Sequence, residues 1–254
     1  MRARHTFQVV GIVAVFSFTT HGFSSQSLYA VVAAFFLSVA TFFFDDAHDV
    51  ESDRVVHPER SISKGEVSAR TAYLLGATSL LAAVLLASML QIQQFVIFIV
   101  VSITAIGIVF LNLGSVTRAF LTAFVIWALF PFSAFPEARI MLFGLMISLP
   151  HIGGSIAKDF LHSAGDLSLG LKPPPHWARY VASIAFFLGS AVVGFPFFLG
   201  LTGWLYLPFI LPTVITCLLL GVDAAKGEYR KIYIYGRIGM ISTLLATIVG
   251  LGQG

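Results

Sequence analysis

Charge is what this chain has least of. Asp, Glu, Lys and Arg make up 11% of its 254 residues, where a soluble domain carries about 25%. So few charges cannot clothe a globule in water. Cysteine occurs once, at Cys217, which excludes an intramolecular disulfide. That thiol lies in an apolar stretch and reads as a small packing residue without redox chemistry. The net charge is only +3, and no basic stripe offers a footprint for nucleic acid. Low-complexity linkers and polar domain-sized stretches are also missing, so the expectation is a single transmembrane domain over 1–254.

What is abundant is grease. Hydrophobic residues make up 57% of the chain, and mean hydropathy is +0.92. Nine apolar segments stand near the ~20 residues that a spanning helix needs. They run over Phe7–Gly22, Leu28–Phe44, Ala72–Leu90, Phe95–Leu111, Ala119–Phe135, Ile140–Ala157, Ala178–Leu199, Trp204–Gly221 and Ile232–Leu251. The first is the shortest and follows Arg2 and Arg4, as a signal peptide would. No clear small-residue cleavage site follows it, so it is read as a span. The fold class expected is an all-α membrane protein of nine transmembrane helices.

Basic residues orient this bundle. With the N-terminus in the cytoplasm and nine crossings, 15 Lys and Arg distribute so that only Arg139 falls outside. That asymmetry is the positive-inside pattern. It predicts a multi-pass protein of the cell membrane, with its N-terminus and polar connections cytoplasmic. The external loops, around Gln91–Gln94, Pro136–Arg139 and Gly200–Gly203, are short and almost uncharged.

Two acidic clusters interrupt the apolar pattern. Asp45-Asp46-Ala47-His48-Asp49-Val50-Glu51-Ser52-Asp53-Arg54 follows the second span, and Lys158-Asp159-Phe160-Leu161-His162-Ser163-Ala164-Gly165-Asp166 follows the sixth. Carboxylates crowded at a membrane boundary repel one another and resist desolvation unless a cation sits among them. If helix continues through the first cluster, Asp45, Asp49 and Asp53 fall at i, i+4, i+8, and Asp46 joins their side. Asp159, His162 and Asp166, at i, i+3, i+7, share a face in the second. Two such clusters on one side of a membrane suggest a divalent metal holding a polyphosphate. The bland alternative is a pair of solvated helix ends, with Arg54 and Lys158 as local partners. Arg54, Arg60, Lys64, Lys158 and Lys172 are placed to contact phosphate oxygens left free by the metal. Within the sixth span, Pro150, Gly153 and Gly154 fit either a packing kink or a helix opened for a ligand. Pro173-Pro174-Pro175 stops any helix after the second cluster.

The stretch from Asp45 to Gly65 resembles the first motif of the UbiA superfamily of intramembrane prenyltransferases. That motif reads N-D-x-x-D-x-x-x-D, a basic residue, then N-x-P-x-R-P-I-P-x-G. Lys158-Asp159 through Gly165-Asp166 and Gly170 resembles the second, K-D-x-x-D-x-x-G-D-x-x-x-G. The tail from Ala225 to Gly250, with Gly239-Met240 and Leu244-Leu245-Ala246, is most similar to archaeal digeranylgeranylglyceryl phosphate synthases. The resemblance covers essentially the whole chain. It implies a UbiA-type bundle with a cytoplasmic-side active site, in which Asp46, Asp49 and Asp53 hold Mg²⁺ and a prenyl diphosphate from one side. Asp159 and Asp166 do so from the other, and Arg60 and Lys64 face the diphosphate. The implied reaction is transfer of a polyprenyl group to a lipophilic acceptor, best an isoprenoid glyceryl phosphate of membrane lipid synthesis. Rings such as Phe43, Phe44 and Trp127 would either pack or face an allylic cation.

This chain departs from the pattern at several places. Asp45 replaces the leading Asn, so the motif begins Asp-Asp-x-x-Asp, as in class I terpene synthases. Val56 replaces the later Asn, Ser61 and Ser63 replace prolines, and His162 replaces the middle acid of the second motif. That His would bond diphosphate, act as a base or stand by. The loop Leu111–Arg118 lacks the Tyr and Lys of many members and leaves Arg118 as the substitute. The alternatives are therefore a terpene cyclase on the same scaffold, prenylation of an aromatic or quinone precursor, or a non-enzymatic transporter or lipid-binding protein. A transporter would place charge near mid-membrane; here nearly all of it lies at one edge.

Overall fold

A computed structural model describes residues 2–56, 58, 60–111, 113–135, 137–168 and 173–251, without the side chains at 2–5, 52, 55, 56, 138, 162, 164–168 and 251. All regular structure among them is helical: α1 (Arg2–His21), α2 (Ser25–His48), α3 (Val50–Val56), α4 (Ala69–Ala87), α5 (Ile92–Phe110), α6 (Ser115–Ala134), α7 (Ala138–Ser168), α8 (Ala178–Val192), α9 (Phe195–Phe198), α10 (Tyr206–Lys226) and α11 (Ile232–Leu251). Among the described residues, eight stretches are long and apolar enough to cross a membrane, and α1 holds the shorter apolar stretch Thr6–His21. The seventh of the expected spans, Ala178–Leu199, is two helices, because Gly194 and Pro196 interrupt it. Helix is imposed by the solvent: in hydrocarbon, backbone N–H and C=O groups find partners only within the segment.

The chain forms two compact units, residues 1–112 with 128–137, and residues 113–127 with 138–254. In the first, α2 packs mainly against α4 and α1. Gly76 of α4 makes room for the Phe44 ring, since a Cβ there would meet it at 2.8 Å. Phe44 also packs on Tyr73 and Phe110. It is thus a packing ring, as is Phe16 against Phe130. Polar side chains join the apolar helices: Gln94, fully buried, accepts from Gln26 and donates to the Phe132 carbonyl. Ser17 donates to the Ser133 carbonyl. Hydrogen bonds of this kind replace hydrophobic association, which lipid tails do not drive.

In the second unit, α8 packs against α7 and α10, and α10 against α11. Small residues allow the approach. Ser183 of α8 donates to the Gly221 carbonyl of α10 at 2.7 Å. Thr213 of α10 donates to the Gly239 carbonyl of α11 at 2.9 Å. Pro150 and Gly153 belong to the same design. A Cβ on Gly189 of α8 would meet Pro150 at 2.6 Å, and one on Gly153 would meet the Phe186 ring and the Ala182 carbonyl at 2.7–2.8 Å. The packing reading of this segment therefore holds, and α7 runs unbroken through it. Cys217 is buried in α10, and Trp127 donates its indole N–H to the Met141 carbonyl.

Helix continues past the apolar runs, as the shared faces of the acids presuppose: α2 runs past Phe44 to His48, and α7 past Ala157 to Ser168. Hydropathy marks the edge of the bilayer, whereas a helix ends at a breaker or cap. One expectation needs correction: the first acidic cluster is not one continuous helix. Asp49 leaves helical geometry at φ −91°, ψ 11°. The break is small, because Asp49 N–H still donates to the Asp45 carbonyl and Asp53 N–H to the Asp49 carbonyl.

The adjacent glycines of α7 give a matched test. Gly153→Ala should lower thermal stability in detergent by about 1–3 kcal/mol through overpacking against α8. Gly154, with nothing within 4 Å of its would-be Cβ, should tolerate Ala with no loss. Equal effects of the two would refute this account of the α7–α8 contact.

Candidate functional site

The first cluster is built where α2 gives way to α3 and a tight turn. Lys64 N–H donates to the Arg60 carbonyl at 2.9 Å and Glu66 N–H to the Ser61 carbonyl at 2.9 Å. Gly65 closes the turn at φ +77°, a left-handed conformation that favours glycine. The turn presents Arg60 to the acids: its Nη1 donates to Asp53 Oδ2 and lies 3.8 Å from Asp46 Oδ1. Asp53 is 8% exposed. A part-buried carboxylate needs such a partner, since leaving it unpaired carries the full desolvation cost.

The other members of the cluster look outward. Asp49 Oδ1 meets His48 Nδ1 at 3.0 Å, with both side chains nearly half exposed. The His48 ring stands edge-on to Phe110. Arg54 reaches back to Glu51 at 3.2 Å, and Lys64 reaches Glu66 at 3.8 Å. These exposed pairs contribute little to stability. They leave Arg54 and Lys64 on the solvent side of the turn. Asp45 makes interactions of its own, and its carbonyl accepts from Asp49.

The second cluster lies on the last turns of α7. Asp159 Oδ2 accepts from the Ser115 hydroxyl at 2.6 Å. Ser115 is the first residue of α6, whose N-terminal dipole favours a carboxylate nearby. Arg118, one turn further, donates to the Leu113 carbonyl at 3.4 Å. Lys158 is exposed. Phe160 stacks on Tyr229 with ring centroids 5.0 Å apart. Burial pushes the Tyr229 phenol above its ordinary pKa, and the Arg179 guanidinium partly offsets this. The side chains of His162 and Asp166 and the whole of Lys172 lie outside the described residues.

Of the expected residues that are described, Asp45, Asp46, Asp49, Asp53, Arg54, Arg60 and Lys64 lie in the first unit, and Arg118, Lys158 and Asp159 in the second. Asp46, Asp53 and Arg60 come together; Asp49, Arg54 and Lys64 take other partners. Sequence reading missed Ser115. A serine at the start of a span is a common cap, and nothing local ties it to an aspartate 44 positions on. Among the described residues, no three His, Cys, Asp or Glu side chains converge into a metal-binding group. The donor chemistry nonetheless suits Mg²⁺, which takes hard oxygen ligands and needs few from protein. One guanidinium drawing on both Asp46 and Asp53 shows that this pair accepts a shared cation.

No family model matches the chain. Curated relatives do. It is 28% identical over 225 residues to the digeranylgeranylglyceryl phosphate synthase of Methanopyrus kandleri, covering 82% of this chain and 80% of that one. It is 30% identical over 220 residues to the synthase of the same name from Natronomonas pharaonis, covering 80% and 78%. Among solved structures, one concerned with digeranylgeranylglyceryl phosphate synthase in membranes superposes with a TM-score of 0.81 at 20% identity, covering 98% of this chain and 95% of that one. The apo structure of a UbiA homolog from Aeropyrum pernix gives 0.76 at 17% identity, covering 98% of each. By its 30% identity to the Natronomonas pharaonis synthase over 80% of its length, the chain belongs to the UbiA superfamily of intramembrane prenyltransferases.

Proposed function

We propose that this protein transfers a polyprenyl group from its allylic diphosphate to the free hydroxyl of an isoprenoid glyceryl phosphate, with Mg²⁺ as cofactor. The observation that carries the reading is the pair of motifs, Asp46/Asp49/Asp53 with Arg60 and Asp159/Asp166, in a chain 30% identical to a synthase of that name. Asp46, Asp49 and Asp53 would hold the metal with one end of the diphosphate, and Asp159 and Asp166 with the other. Bound Mg²⁺ supplies positive charge to a leaving group that accumulates negative charge.

The chain's own residues do the rest. Arg60 and Lys64 bind diphosphate oxygens, and Lys158, Lys172, Arg118 and Arg54 lend positive potential at the same membrane face. Ser115 orients Asp159 by donating to Oδ2, which leaves the other oxygen to the ligand. As the allylic C1–O bond breaks, its electron pair leaves with the diphosphate. The acceptor oxygen attacks C1, an ether bond forms, and the hydroxyl proton passes to solvent or to the departing diphosphate. A developing allylic cation needs little activation of its partner, so the main tasks are to orient the hydroxyl and exclude water. That suits a site without an obvious strong base. The apolar helices accommodate the prenyl tail, and the protein works as one domain with its site on the cytoplasmic side of the cell membrane.

Diphosphate release by the purified protein with Mg²⁺ and geranylgeranyl diphosphate tests the reaction. It should depend on added isoprenoid glyceryl phosphate and yield an ether lipid. A cyclic terpene or terpene alcohol formed without acceptor would replace the transferase with a cyclase, and Asp45 would then be the telling departure.

Asp49→Ala and Asp166→Ala should each lower turnover by roughly a hundredfold or more while helical content by circular dichroism is kept. Ser115→Ala should cost about tenfold, the scale of losing a residue that orients a ligand, with Ser115→Thr restoring most of it. Near-normal turnover in either Asp variant would refute the two-sided site.

Orientation is checked with single cysteines in a Cys217→Ala background. Cysteine at Ser63 or Ser168 should be shielded from an impermeant thiol reagent added outside intact cells, and labelled once the membrane is opened. Labelling of both in intact cells would invert the topology.

A further inference from the structure

We propose that Arg60 is the resident counter-cation of the first acidic cluster, and that the donor diphosphate must draw it away before a divalent cation can take Asp46 and Asp53. The metal would then enter with the diphosphate and not ahead of it. This rests on the prenyl-transfer reading above and adds an order of binding to it.

The geometry supplies the competition. One guanidinium nitrogen, Nη1, serves both acids: it donates to Asp53 Oδ2 and lies 3.8 Å from Asp46 Oδ1. Those are two of the oxygens that a metal at this cluster would use. A divalent cation bound there would stand against a positive guanidinium in a part-buried setting, where like charges repel strongly. The two cations are therefore alternatives. Arg60 can leave because its backbone need not move. The Lys64 N–H to Arg60 carbonyl bond and the left-handed Gly65 hold the turn, so only side-chain torsions change. It also has somewhere to go. A guanidinium fork matches phosphate oxygens in bidentate fashion, and among the described residues only Nη1 of the fork is engaged.

The cluster keeps a cation beside it at each stage. Before substrate, Arg60 neutralises one of the two acids it touches. After diphosphate arrives, Arg60 turns to the phosphate, and the freed carboxylates meet the metal that the diphosphate also ligates. A purely structural Arg60, pinning the turn to α2, would give the opposite response: removing it would loosen the carboxylates and weaken metal binding.

Two binary affinities on the purified full-length protein decide between these. The first is Mn²⁺ alone, read by electron paramagnetic resonance. The second is labelled inorganic diphosphate alone, in chelator, read by equilibrium dialysis. Arg60→Gln should tighten Mn²⁺ binding roughly three- to tenfold, the scale of one competing ion pair, and weaken diphosphate binding about tenfold. Arg60→Lys keeps a charge without the fork and guards against misfolding of the first variant. It should shift Mn²⁺ affinity the same way by a smaller factor. Asp53→Asn should weaken Mn²⁺ binding in the Arg60→Gln background, where the site is open without diphosphate. Unchanged or weaker Mn²⁺ binding in both Arg60 variants, with Asp53→Asn still weakening it, overturns the exchange and makes Arg60 a fixed strut. Mn²⁺ affinity indifferent to Asp53→Asn in the Arg60→Gln background overturns the metal site itself, a separate failure that belongs to the underlying reading.

Discussion

A backbone in hydrocarbon must satisfy its own hydrogen bonds, and everything else in this protein follows from that constraint. It makes every span a helix and leaves association to close packing and a few side-chain hydrogen bonds. It also pushes charged chemistry to the helix ends. Gly153 under Phe186, Gly189 under Pro150 and Gly76 under Phe44 are among the close contacts. Gln94, Ser183 and Thr213 are among the hydrogen-bonding links between helices. Once helices are so fixed, their last turns are rigid mounts, and the acidic clusters stand on such turns.

What those mounts must then solve is charge. A carboxylate half out of water needs a cation close by, and the two clusters meet the demand differently. Asp53 and Asp46 share Arg60 from a turn that follows them by only a few residues. Asp159 has a hydroxyl and the positive end of α6. Among the described residues, a hydroxyl meets one oxygen of the Asp159 carboxylate, and one guanidinium nitrogen spans Asp46 and Asp53.

Much of this was legible in the sequence, because its strongest signals are local. Apolar length located the spans to within a few residues, and the acid spacing located both clusters. The rest depended on contacts between distant positions. Hydropathy could not say that α7 runs on to Ser168, since charged residues are good helix formers beyond the membrane edge. It could not see that Asp49 breaks the first cluster, a matter of one backbone torsion. Ser115 and Asp159 are joined only by the fold. Pro150 and Gly153 read equally well as an opening or as packing until α8 lay against them. The family pattern came from residue identity, and it located Arg60; what Arg60 touches could be learned only from the turn.

The departures from that pattern take on meaning in this light. Ser61 and Ser63 stand where prolines would stiffen the turn, yet the turn is held by the backbone bonds from Lys64 and Glu66 and by Gly65. Stiffness has been moved from ring constraint to hydrogen bonding, so the loss of two prolines does not free Arg60's backbone. The loop before α6 lacks the Tyr and Lys of many relatives, and Ser115 and Arg118 hold that position instead. Ser115 is a short donor already committed to Asp159, and Arg118 is a long cation whose contact with the Leu113 carbonyl is weak at 3.4 Å. The loop thus brings one hydroxyl donor and one cation to the start of α6.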